Sequence, residues 1–221
     1  MTCQEVLDRM EATGTERMRQ FNVKNGYQGA QFGLKMGDLR VVAKEVKTDH
    51  ALAKELWASG NLDARLLATL VCKPKQFTMD ELRAMVTEAT LPQLADWLNS
   101  YVIKQHADKE TMRLEWETES DPMLQRTSWS LTTERINKAA EGLDLDAILA
   151  TLAEKMPSAP EAARWLMNFA LIAVGTQSAE HREAAIALGD RLGFYRDYPT
   201  SPGCTSPFAP IAIRELARRA G

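Results

Sequence analysis

The amino-acid sequence predicts an all-α protein, an α-α superhelix (solenoid) of two-helix repeats, on three observations. Apolar residues recur at helical spacing through most of the 221 residues. Period-two alternation of β-branched and aromatic residues is almost absent, and no hairpin dipeptide joins two alternating runs. Asn25-Gly26 comes closest, in a segment too short and polar to be a hairpin. Three helix starts also share one theme, in which an acid is followed by Arg and then an apolar run: Asp63-Ala-Arg65, Asp121 to Arg126, and Glu161 to Arg164.

Taken in order, Leu39, Val42, Ala43 and Val46 sit at i, i+3, i+4 and i+7, with Asp38 placed to cap that helix. Residues 63–72 follow a Gly60-Asn61 break and read as a buried helix. Thr78 and Glu81 have the spacing of a capping box. Further helices are expected over 91–105, 121–136, 144–155, 160–174, 178–192 and 210–220. Pro92, Pro122 and Pro160 stand at helix starts, where a missing N–H costs little. Arg126 and Arg164 are 38 residues apart, which suggests HEAT-like repeats; a plain helical bundle is the alternative. Residues 1–221 are expected to form one helical-repeat domain with a Pro-rich loop at about 195–210. That loop holds four prolines and three aromatics, so it is expected to pack along the last helices.

Composition narrows the function. There are 27 basic against 30 acidic groups, a net charge of −3, which speaks against a protein that coats nucleic acid. The charge is uneven: residues 1–75 carry 12 basic and 9 acidic groups. No apolar run reaches the roughly 18 residues of a membrane span, and no signal peptide is visible. Cys3, Cys72 and Cys204 are odd in number and far apart, which points to free thiols and a cytoplasmic location. His50, His106 and His181 are isolated from one another, so neither a metal nor another cofactor is expected. Phosphate-loop, Gly-x-Ser-x-Gly and His-Glu-x-x-His signatures are missing. The informative stretch is 91–101, where Asp96 falls one turn after Pro92 in an apolar helix. An acid there is either a surface residue or a carboxylate held to stabilise positive charge.

Two segments resemble the DNA alkylation repair (AlkD-like) HEAT-repeat glycosylases. The first is Phe32-Gly-Leu-Lys-Met-Gly-Asp38-Leu-Arg40; the stronger is Leu52 to Ala68, with Trp57, Gly60, Asp63 and Arg65. The resemblance spans residues 20–192. It implies an all-helical HEAT-like fold that holds duplex DNA and hydrolyses the N-glycosidic bond of cationic N3- and N7-alkylated purines. The family's acid lies in a Trp-Asp-x-x-Asp-Ser arrangement, and two frames are open. In one, Asp96 resembles the catalytic acid, with Pro92 at the Trp position. In the other, Ala95-Asp96-Trp97-Leu98-Asn99-Ser100 resembles the whole motif and puts Asn99 at the acid. Gln125-Arg126-Thr127-Ser128 resembles the phosphate-contacting segment, which implies that Arg126 binds DNA. Phe169, with Trp165 nearby, matches a second active-site Trp, and Trp97 is a further aromatic for a lesion pocket. Lys35, Arg40, Lys44, Arg65 and Arg164 are the other candidate phosphate contacts.

The chemistry explains the interest in the acid. An alkylated purine already leaves as a cation, so the task is to stabilise oxocarbenium character on the sugar and guide water. A carboxylate can do this and a neutral Asn cannot supply the charge. Duplex DNA is thus the expected partner of an expected monomer. The other readings are a divergent homologue that binds unusual DNA without chemistry, and an α-solenoid protein-interaction scaffold.

Overall fold

The computed structural model describes residues 1–220, with the side chain of Ala220 left aside. Among the described residues it holds helices and no strand. The helices are α1 (Cys3–Thr13), α2 (Glu16–Lys24), α3 (Met36–Val46), α4 (His50–Ala58), α5 (Leu62–Val71), α6 (Met79–Glu88), α7 (Pro92–Tyr101), α8 (Lys109–Glu115), α9 (Pro122–Ala139), α10 (Leu145–Lys155), α11 (Glu161–Gln177), α12 (Arg182–Leu192) and α13 (Ala209–Ala220). The chain divides into two compact units, Met1–Lys109 and the part from Glu110 onward.

In the first unit, α5 is the central element. Eight of its ten residues are buried, including Leu62, Leu66 and Leu67, and α4, α3 and α7 pack around it. Each such leucine contributes roughly 1.5–3 kcal/mol on burial. Asn61 caps it through Oδ1, which accepts from the N–H groups of Asp63 and Ala64. Asp63 is itself buried, and its carboxylate accepts the N–H groups of Phe32, Gly33 and Leu34 at 2.7, 2.9 and 3.0 Å. That anion cradle fixes the segment leading into α3. Gly33 lies at φ +82°, and a Cβ there would meet the Thr15 carbonyl oxygen at 2.6 Å, so both conformation and space require glycine.

In the second unit α11 is central and packs on α9, α12 and α13. Its buried face includes Ala163, Met167, Ala170, Leu171 and Val174. Asp121 and Asp144 cap α9 and α10 through their carboxylates.

The expected caps at Thr78, with Glu81, and the proline starts at Pro92 and Pro122 are observed. Other boundaries differ for local reasons. The helix expected to start at Asp38 begins at Met36, and Asp38 lies in its first turn, where an acid favours the positive helix end. The helix expected over 91–105 stops at Tyr101, and a separate 3₁₀ turn follows at Ile103–Gln105. The helix expected from 178 starts at Arg182, because Ser178 closes α11 and its hydroxyl pairs with His181 Nδ1 at 2.7 Å. Helices α1, α2, α4 and α8 stand outside the predicted set. α2 buries only Asn22, so its sequence shows no apolar period.

Candidate nucleic-acid interface

Four exposed cations of the first unit lie on or beside α3, which also carries Asp38 and Glu45. Arg40 and Lys44 fall at i and i+4 on α3, Lys47 is its C-cap at φ +61°, and all three are exposed. Lys35, at the N-terminal boundary of α3, is exposed as well. Among the described residues Lys35, Lys44 and Lys47 enter no ion pair, so their charge is available to an anion. Arg40 is held in place. Its guanidinium lies 5.1 Å from the Trp97 ring centroid, and Nη2 reaches the Tyr101 hydroxyl at 3.4 Å. Trp97 and Tyr101 are one turn apart on α7, edge to face at 5.4 Å. Two residues singled out from sequence, Arg40 and Trp97, are therefore brought together, and Tyr101 completes the group. Tyr101 is marked in the sequence by its i+4 spacing from Trp97, whereas Lys47, past the end of α3, has no such mark.

The two candidate acids differ sharply. Asp96 is exposed on α7. Asn99 is only 4% exposed, and its Oδ1 is buried with no hydrogen-bond partner among the described residues. Asp96 lies three and four residues after Gln93 and Pro92, on the same helix face. Those two residues, with Leu91, Phe21, Asn22 and Asn25, line a cleft of about 300 Å³. Phe21 is 56% exposed there.

Arg65 and Arg164 share one device. The Nε of Arg65 donates to the Trp57 carbonyl at 3.2 Å, and the Nε of Arg164 donates to the Met156 carbonyl at 3.2 Å. In each case an Arg early in one helix reaches the C-terminal carbonyls of the preceding helix, the negative end of its dipole. Arg65 also pairs with Glu88 at 2.6 Å and lies over the Trp57 ring. Arg164 pairs with Glu161 at 3.2 Å and lies over Phe194. Arg126 is 4% exposed on α9, and its Nη1 donates to the Ala162 carbonyl at 3.2 Å.

In the second unit Trp165 and Phe169 are ring neighbours at 5.3 Å. Tyr195 and Tyr198, from the Pro-rich loop, close on Trp165 at 5.0 and 5.3 Å. The Tyr195 hydroxyl donates to Glu161, and burial together with that carboxylate pushes its pKa up. Burial also pushes the Cys72 thiol up to about 11, which keeps it protonated at neutral pH. Cys3, Cys72 and Cys204 are free thiols. No group of His, Cys, Asp and Glu suited to a metal ion occurs among the described residues, and no helix there is long and apolar enough to cross a membrane.

Stacked helices, with an Arg clamp tying the start of α5 to α4 and of α11 to α10, define a HEAT-like helical-repeat protein. A family model described as DNA alkylation repair enzyme matches residues 6–210, and the chain belongs to that family. An uncharacterized protein of Listeria innocua is 28% identical over 191 residues, 85% of this chain and 83% of that protein. A solved structure superposes with a TM-score of 0.80 at 22% identity, covering 100% of this chain and 95% of the other. It is described as a new family of proteins related to the HEAT-like repeat DNA glycosylases with affinity for branched DNA structures. That likeness carries the fold, and the all-helical HEAT-like architecture expected from sequence is the one observed.

Proposed function

We propose that this protein binds duplex and branched DNA through phosphate contacts and does so without excising a base. The observation that carries this reading is the pair of polar side chains on α7. The position sheltered from water is held by the neutral amide of Asn99, while the carboxylate of Asp96 stands exposed. Stabilising an oxocarbenium-like sugar calls for negative charge in a site from which water is excluded, where its field is not screened. An exposed carboxylate is weakened by the solvent around it. DNA affinity needs only exposed cations, and Lys35, Arg40, Lys44 and Lys47 supply them from one region of the first unit. The affinity of the structurally similar protein for branched DNA supports the same choice of ligand.

A second reading rests on the cleft beside Asp96. Phe21 offers an aromatic wall there, and Asp96 lies on the cleft's side of α7. In that reading the protein hydrolyses the N-glycosidic bond of N3- or N7-alkylated purines with Asp96 as the carboxylate. One experiment separates the two. Methylated duplex DNA is incubated with the wild type and with Asp96→Asn, and released purine is measured beside binding to a four-way junction. Salt-sensitive junction binding by both, with no release above the spontaneous rate, is expected. Release by the wild type that Asp96→Asn abolishes would replace the first reading by the second.

A further inference from the structure

Between α12 and α13 the chain runs as a strap over α11, pinned at both ends. At its start Tyr195 takes φ +63°, a conformation that a bulky residue seldom adopts and that neighbours must enforce. Those neighbours are the Glu161 carboxylate, which accepts the Tyr195 hydroxyl at 2.9 Å, and the Trp165 ring. At its end Asn168 Nδ2 donates to the Pro207 carbonyl at 2.8 Å, and Arg196 lies 4.5 Å from the ring centroid of the buried Phe208. Under the strap is a cavity of about 360 Å³, walled by the rings of Trp165, Phe169 and Tyr198 and bearing the hydroxyls of Thr200 and Ser201.

We propose that this cavity takes an unstacked nucleobase from an unpaired stretch of DNA. The inference rests on the DNA-binding reading and extends it to the second unit. The cavity is of the size usual for small planar ligands, roughly 300–1,000 Å³. Aromatic faces bind any base by stacking; the Thr200 hydroxyl, which donates to the Tyr198 carbonyl at 3.1 Å, is left to accept from a base edge, while that of Ser201 can donate or accept. Tyr198 is 48% exposed, so one ring of the wall is open to an arriving base. Because the strap is already fixed by its two pins, binding need not order it. Bases inside a paired duplex are stacked on their neighbours and cannot enter, so the site is selective for bulges, flaps and junction points.

The test compares a fully paired duplex with the same duplex carrying an unpaired bulge that contains 2-aminopurine. The wild type is expected to change the 2-aminopurine fluorescence on binding. Tyr198→Ala is expected to weaken binding to the bulged DNA about ten-fold while leaving the paired duplex unaffected. A second measurement uses the exposed thiol of Cys204, which lines the cavity, in a Cys3→Ser background where Cys72 is buried. Bulged DNA should slow alkylation of Cys204 and paired duplex should not. Unchanged fluorescence at saturation, equal losses on both DNAs, or equal alkylation rates would overturn the proposal while leaving duplex binding in place. Absence of affinity for either DNA would overturn the DNA-binding reading and this one together.

Discussion

Asn99 is the residue where a single atom separates two kinds of protein. Replacing its amide nitrogen by oxygen would put a carboxylate at a position only 4% exposed. Burial disfavours the charged form, so the folded-state pKa of that Asp would rise above the unfolded value of about 3.9. The destabilisation is then absent below the unfolded pKa, grows as pH rises from the unfolded to the folded pKa, and is constant above it. We expect Asn99→Asp to lose about 1–3 kcal/mol at pH 7 relative to the wild type, and almost nothing at about pH 3, below the unfolded pKa. Urea unfolding of both proteins at the two pH values measures it, and an equal loss at both would mean that the site admits water. The sequence left Asp96 and Asn99 as rivals because two motif frames were open, one keeping Asp96 as the acid and the other keeping the first Asp and the Ser around Asn99. Burial distinguishes them, and burial depends on how α7 turns against α5.

At the scale of elements, the recurrent acid-and-Arg theme has a structural explanation for two of its three members. Arg65 and Arg164 each tie the start of one helix to the carbonyl end of the helix before it. Each guanidinium also pairs with a carboxylate and lies over an aromatic ring. We expect Arg65→Ala and Arg164→Ala each to destabilise the fold by about 1–3 kcal/mol, through lost charge-assisted hydrogen bonds and lost packing. Thermal unfolding would show it, beside DNA affinity measured well below the midpoint. Little change in stability with a clear loss of affinity would return these residues to the phosphate contacts proposed from family resemblance. The helices themselves were legible wherever caps and apolar spacing agreed, as at Thr78, Pro92 and Asp121. α2 was not legible, because Thr15 and polar contacts from Arg19 and Asn22 hold it in place of an apolar stripe.

For the molecule as a whole, the net charge of −3 is a poor guide to what a given face will bind. Lys35 and Lys47, flanking α3, add to Arg40 and Lys44 on it and outnumber Asp38 and Glu45 there, while the chain as a whole is below zero. DNA affinity should therefore fall steeply with salt, since each neutralised phosphate releases condensed counterions. Lys35→Ala and Lys44→Ala are each expected to reduce the slope of log K against log salt by about one, independently of base sequence. A slope that neither variant alters would place the DNA elsewhere on the protein.

Local sequence was enough for the helical class, most helix starts and the family. Caps, proline positions and apolar spacing act over a few residues and need no knowledge of the fold. Which polar groups stand in water, which cations are consumed as clamps, and where the Pro-rich loop closes a cavity were settled by packing. Those properties depend on contacts such as Asp63 with residues 32–34, Arg164 with Met156, and Asn168 with Pro207. Each joins residues that no local pattern links, so their chemistry becomes readable once the chain has brought them together.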